Sequence, residues 1–342
     1  MERDGITGRQ GFFLLFLFLL GNLVTAAGAK GIQSGWIVLL CCAGLALPVL
    51  TLFLRAAGGR PAGQVFPEAL GPRLGTAVTV IYCGIALLMA GDSMRLFADF
   101  IVINDLNDAG AWGNTALLAL VVLLLLFCDL RGLGKAAWAV QPLVAALLLG
   151  SLLLTCSTMD PAMLLPLFDL DAGTCCRGIV GTLGGTLMPA LFPVLLLNGS
   201  APADWKRQVR AAGVGALVLL ALLTLRDGAV LGFPLAEMFR FPGFAAAGRL
   251  RHSELLISAA FVLSQPFRTA LLLRYVQDCL TVWRPAWRRG CPPVLLLLAA
   301  VSGVLSWSSE QVHWRTGGEA VIGLLLLAGP AAAVLAERRR RR

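Results

Sequence analysis

The sequence predicts an all-α, polytopic membrane protein of about ten transmembrane helices, and three observations carry that prediction. Hydrophobic residues make up 58% of the 342 residues, glycine adds 38 more, and the mean hydropathy is +0.82. Charged residues are only 14%, where about 25% is usual in globular domains. The apolar residues gather into runs of roughly 20, the length that crosses a bilayer as a helix. A soluble surface needs polar cover that this chain lacks. A soluble enzyme, a secreted disulfide scaffold and a disordered chain are excluded together.

Ten runs qualify in chain order: 11–28, 34–54, 74–102, 114–129, 136–155, 179–197, 211–225, 254–280, 292–308 and 319–336. The first follows Arg3 and Arg9; polar Asn22 lies inside it and no small-x-small cleavage site closes it, so it reads as a retained helix. The second starts beside Trp36 and stops at Arg55. The seventh is short for a crossing. Segments 55–73 and 198–210 are rich in Gly, Pro and Ala and read as simple connectors. Segment 226–253 holds Phe233, Pro234, Phe239, Phe241, Pro242 and Phe244, too apolar for a solvated linker, and is expected to fold as a lid over the outer face. The organisation is one transmembrane domain over 1–342, with five-helix halves at about 11–155 and 179–336. Residues 337–342 form a basic tail, which reads as a topology anchor, with an anionic-lipid or partner switch as the alternative.

The net charge of +9 does not mark a nucleic-acid binder, because the basic residues lie in small clusters between apolar runs. With the N-terminus inside, the inner segments hold eighteen Lys and Arg, including Arg55, Arg60, Arg73, Lys206, Arg207, Arg210 and Arg338 to Arg342; the outer segments hold seven. That asymmetry predicts cytoplasmic termini. Adjacent pairs Cys41-Cys42 and Cys175-Cys176 lack zinc spacing, and His252 and His313 are the only histidines, so neither a metal nor another cofactor is expected. No His–carboxylate pair or Ser–His set falls within the spans, so no catalytic residue is assigned and the chain is not expected to be an enzyme.

Polar groups inside spans are candidates by default. Asp92, Arg95 and Asp99 share a face of the third span, where they could line an outer vestibule or neutralise one another as an ion-pair stripe. Ser264 and Gln265 lie mid-span in the eighth, with Arg268 a turn beyond; a helix-to-helix hydrogen bond is the alternative to ligand contact. Gly21-Asn22, with Thr25 and Gly28, weakens the first span at mid-depth. Thr182, Gly184, Gly185 and Thr186, followed by Pro189 and Pro193, make the sixth span the most hostile to a regular helix. Paired interruptions at corresponding places in two halves point to a midplane ligand site in an inverted-repeat fold. Close packing through Gly181 and Gly185 is the other explanation.

Several stretches resemble the spore-germination permease family, the GerAB-like B subunits of germinant receptors. Thr7-Gly8-Arg9-Gln10 through Gly21-Asn22 resembles the family's opening run. Trp36 resembles its tryptophan at the head of the second helix, and Arg131-Gly132-Leu133 its entry to the fifth. The stretch from Gly232 through Phe241-Pro242 to Leu255 resembles its long connection before the eighth. The resemblance implies the amino acid–polyamine–organocation superfamily and a LeuT-like 5+5 inverted repeat with helices 1 and 6 broken. It implies a nutrient germinant, an amino acid being the leading class; the interrupted and polar positions of the spans put its binding at Gly21, Asn22, Thr25, Thr182, Gly184, Gly185, Thr186 and Gln265, with Asp92 and Arg95 in the vestibule. It also implies A-type and C-type partner subunits in the inner membrane of a bacterial spore. Thr186 stands where the family often has a Glu, which removes the carboxylate that proton coupling would use.

Two functions follow: germinant sensing, and secondary amino-acid transport on the same fold. Apart from the outward Asp92 and Asp99, no carboxylate lies well inside a span, which favours sensing.

Overall fold

The computed structural model describes residues 6–21, 35–103, 110–156, 159–160, 162, 172–199, 204–231, 250–288, 290–305 and 312–341. Of the expected lid over 226–253, residues 226–231 and 250–253 belong to helices, and 232–249, together with Asn22, Thr25 and Gly28, fall outside the described residues. Every regular element among the described residues is helical.

The helix α1 (Gly8–Leu20) opens on a capping box: the Gln10 amide donates to Thr7 Oγ1 at 3.4 Å, and the Thr7 amide donates to Gln10 Oε1 at 3.1 Å. Two orphan N–H groups are thereby satisfied, which gives the Thr7-to-Gln10 opening a physical meaning. Leu14, Leu15, Leu17, Phe18, Leu19 and Leu20 are all buried. A helix buried on every side lies at the centre of its bundle.

Around it run α2 (Gly35–Ala57), α3 (Val65–Leu70), α4 (Pro72–Ile103), α5 (Gly110–Phe127) and α6 (Leu130–Thr155). Next come α7 (Ala172–Thr182) and, after a short irregular stretch, α8 (Leu191–Asn198). Then follow α9 (Trp205–Leu231), α10 (Leu250–Trp283), α11 (Cys291–Leu305) and α12 (Val312–Arg341). Seven of the described helical stretches are long and apolar enough to cross a membrane, and Gly8–Leu20, Trp112–Phe127 and Cys291–Gly303 are shorter apolar helices. The seventh apolar run, short in the sequence, lies within a helix of 27 residues. Its flanks Trp205 to Arg210 and Arg226 to Leu231 continue the helix despite their charges.

Segment 55–73 is more than a connector. It holds a 3-10 turn (Ala62–Gln64) and α3, and Ala62, Val65, Phe66 and Ala69 are buried. Arg60 in this segment pairs with Glu68 at 3.1 Å and with Glu337 near the end of α12, while Arg340 donates to the Glu68 carbonyl at 2.8 Å. These contacts tie the last helix to the segment after α2. Composition could not reveal them, because they join residues far apart in the chain.

The helix α12 carries a second tie. The Tyr82 hydroxyl of α4 donates to the Leu325 carbonyl at 2.6 Å and accepts from the Gly329 amide at 3.1 Å. A side chain placed at this i, i+4 step, immediately before Pro330, marks a weak point in the helical ladder. By contrast, α10 runs through Pro266 without ending; neighbouring helices and side chains hold such a helix together inside a membrane bundle.

Candidate functional site

α1 ends at Gly21, whose amide still donates to the Leu17 carbonyl at 3.0 Å. The last carbonyls of a helix have no partner within it and need one from elsewhere. Gln265 of α10 supplies one: its Nε2 donates to the Gly21 carbonyl at 2.6 Å. Its other end, Oε1, accepts from Ser93 Oγ of α4 at 2.6 Å, and Thr269 Oγ1 donates to the same Ser93 oxygen at 3.1 Å. Ser93, Gln265 and Thr269 are all buried. The result is one directed chain, Thr269 to Ser93 to Gln265 to the end of α1, joining three helices. Of the two readings of Gln265, the helix-to-helix hydrogen bond is the one formed, to the carbonyl at the end of α1.

Arg268 lies one turn from Gln265, 6% exposed, with its guanidinium 5.4 Å from the centre of the Phe18 ring. A Cβ on Gly21 would approach the Arg268 Cδ to 2.9 Å and its Cβ to 3.0 Å. Gly21 is in an ordinary helical conformation, so glycine is needed there for this close approach rather than for its backbone freedom.

The glycine-rich stretch of the sixth span does not unwind into extended chain. It widens into a π-helical turn over Leu183–Leu187, in which the Met188 amide donates to the Leu183 carbonyl, then tightens into a 3-10 turn over Met188–Ala190. Pro189 has no N–H to continue an α ladder, and π turns inside helices frequently occur at functional sites. Thr182, Gly184 and Thr186 are buried and Gly185 is half-buried. Gly323 of α12 lies so close that a Cβ on it would be 2.7 Å from the Gly184 Cα, so backbone meets backbone there. α2 approaches from another side, where Cys42 Sγ donates to the Ile179 carbonyl at 3.8 Å.

The structure thus brings Gly21 and Gln265 into direct contact. Thr182, Gly184, Gly185 and Thr186 lie together on the π turn and the helix turn before it. The helix α1 touches both the 3-10 turn that follows and α8. Arg95 pairs with Asp99 at 3.3 Å within α4, the ion-pair alternative, and Asp92 is exposed. Ser93 and Thr269 were not singled out in the sequence. Thr269 carried a signal, because it is four residues after Gln265 and so shares its helix face. Ser93 carried none. No grouping of His, Cys, Asp and Glu able to hold a metal occurs among the described residues.

A family profile described as "Spore germination protein" matches residues 5–247. The chain belongs to the spore germination protein family. Membership covers α1 through the end of α9 and most of the segment that follows. Among solved structures, MhsT in complex with L-phenylalanine superimposes with a TM-score of 0.72 at 13% identity, covering 97% of this chain and 89% of that one. The Eremococcus coleocola manganese transporter, in complex with an aromatic bis-isothiourea substituted compound, gives a TM-score of 0.58 at 17% identity, with 96% and 76% covered. These likenesses establish the fold, that of LeuT-type transporters. No curated protein matches the chain by sequence. A spore germination family member with this fold and these apolar helices is a multi-pass membrane protein.

Proposed function

We propose that the chain is the nutrient-sensing membrane subunit of a germinant receptor, and that an amino acid binds between the end of α1 and the π turn. The observation that carries this reading is the pairing of two irregular places in one bundle: α1 stopping at Gly21 under Gln265, and the helix from Ala172 to Asn198 widening at Leu183–Leu187. Interruptions at corresponding positions of two halves are where transporter folds place their ligand sites. In this reading the ten apolar helices all cross the membrane, α1 and the α7–α8 helix are the broken pair, and both termini are cytoplasmic. Gly21, Asn22, Thr25, Thr182, Gly184, Gly185, Thr186 and Gln265 surround the ligand. Occupancy shifts the protein between two states through its different affinity for each, and A-type and C-type subunits receive the change in the spore inner membrane.

The test is a thermal-shift titration of purified protein against each of the twenty L-amino acids, followed by germination dose–response curves. Gly185→Leu is expected to abolish binding and response, while Leu124→Val at the 61% exposed Leu124 leaves both intact. Unaltered affinity in Gly185→Leu removes the midplane site from consideration.

The fold likeness to transporters supports a second reading, secondary amino-acid transport. It predicts uptake of the same amino acid into proteoliposomes under a sodium or proton gradient, whereas sensing predicts binding without uptake.

A further inference from the structure

An open cleft of about 530 Å³ lies between α2 and α9, lined by Leu47, Pro48, Thr51, Leu52, Arg55 and Arg210. None of these residues belongs to the candidate ligand site. The lining is divided in character. Leu47, Pro48 and Leu52 form an apolar floor, and Leu47 is 46% exposed. Arg55, in the last turn of α2, and Arg210, in the second turn of α9, bring two guanidinium groups from different helices to the same cleft.

The floor is satisfied and the arginines are not. Pro48 has no amide to place, and Thr51 Oγ1 donates to the Leu47 carbonyl at 2.7 Å. Neither Arg55 nor Arg210 has a side-chain hydrogen bond or ion pair among the described residues, and the Arg210 Nε is buried with no acceptor. The one buried donor, Arg210 Nε, calls for a partner; Arg55 is exposed beside it, and guanidinium forks match phosphate oxygens in charge and geometry. Lys206, exposed one turn from Arg210 on α9, adds a third cation on the same helix face. An apolar floor under clustered cations is the pattern of an acyl chain below an anionic headgroup.

We propose that this cleft binds one anionic phospholipid. Its phosphate is bridged by Arg55 and Arg210, and an acyl chain lies along Leu47, Pro48 and Leu52. The net negative headgroup is selected over a zwitterionic one because two guanidinium groups line the cleft, with Lys206 one turn away on α9. Arg55, Lys206 and Arg210 all belong to the end of the bundle that the basic asymmetry assigns to the cytoplasm, where anionic lipid attracts such clusters.

Native mass spectrometry of the full chain, released from detergent with equal amounts of phosphatidylglycerol and phosphatidylcholine, tests the proposal. The wild type is expected to retain phosphatidylglycerol with about a thirtyfold preference, from the contribution of two arginines near a headgroup. The Arg55→Gln/Arg210→Gln double variant loses that preference. Arg207→Gln, an exposed neighbour outside the cleft, keeps it. Leu47→Trp, which fills the floor and leaves every charge in place, also lowers retention, so the result does not depend on the arginine variants folding. Millimolar inorganic phosphate leaves the bound lipid in place. A double variant that prefers phosphatidylglycerol as strongly as Arg207→Gln overturns the proposal, and so does release of the lipid by inorganic phosphate.

Discussion

The end of α1 and the π turn of the sixth span are held in opposite ways. The end of α1 at Gly21 is held by side chains, through the buried Thr269–Ser93–Gln265 chain and the packing of Arg268. The π turn at Leu183–Leu187 stays within its own helix and rests on the backbone of α12 at Gly323. A contact made by side chains can be given up and remade one hydrogen bond at a time. A contact between backbones has no such freedom, since one added carbon cannot be accommodated without moving a helix. The difference assigns the adaptable role to the Gly21 side and the fixed role to the Gly184 side.

The largest effect is expected from attacking the fixed side. Gly323→Leu inserts a side chain where a Cβ alone comes to 2.7 Å of Gly184. Overpacking of this kind costs about 1–3 kcal/mol or more, so the variant is expected to lose most of its detergent-stable yield in fluorescence-detected size-exclusion chromatography. A monodisperse variant with wild-type melting behaviour contradicts the backbone contact.

Breaking the adaptable side is expected to cost less. Gln265→Leu removes the donor to Gly21 and the acceptor for Ser93 together, leaving buried groups unpaired at about 1–3 kcal/mol. A clear drop in the thermal midpoint is expected in an assembled protein, together with a changed nutrient dose–response. Gln265→Glu keeps the acceptor for Ser93 but loses the donor, so it separates the two bonds. Equal melting of Gln265→Leu and wild type disproves the central role of this chain.

Smaller again is Tyr82→Phe, which loses one hydroxyl that both donates to Leu325 and accepts from Gly329. About 1 kcal/mol is expected, with faster deuterium exchange confined to α12 around Gly329. The smallest change is Thr269→Val, at the far end of the polar chain. Interhelical bonds inside membranes average about 0.6 kcal/mol, so a shift of a degree or two is expected, and a shift as large as that of Gln265→Leu inverts the proposed order of the chain.

How much of this was legible in the sequence depends on the range over which each feature is encoded. The apolar runs are local, so the all-helical, membrane-spanning character could be read from composition and spacing. The irregularity around Gly184 and Pro189 is local too, and so is the capping box at Thr7 and Gln10, although in the sequence that stretch stands out only for its family resemblance. What escaped was long-range. Gly21 and Gln265 are 244 positions apart, and only the fold makes them neighbours. Ser93 was hidden between Asp92 and Arg95, whose charges drew attention to the same helix while a different face carried the buried contact. Arg60 looked like one more basic loop residue until the fold set Glu337 against it.

The placement of Tyr82 and Pro330 gives α12 the character of a jointed rod. Pro330 offers no amide to the Leu326 carbonyl, and the Leu325–Gly329 step is shared with a hydroxyl from another helix. Bending at this joint sacrifices little that the helix still owns. The half bearing Gly323 can therefore move as one unit with the π turn it is packed against, while the half bearing Glu337 stays moored to Arg60. A stiff rod would have forced both ends to move together; a jointed one lets the interior of the bundle adjust while its far end keeps its grip.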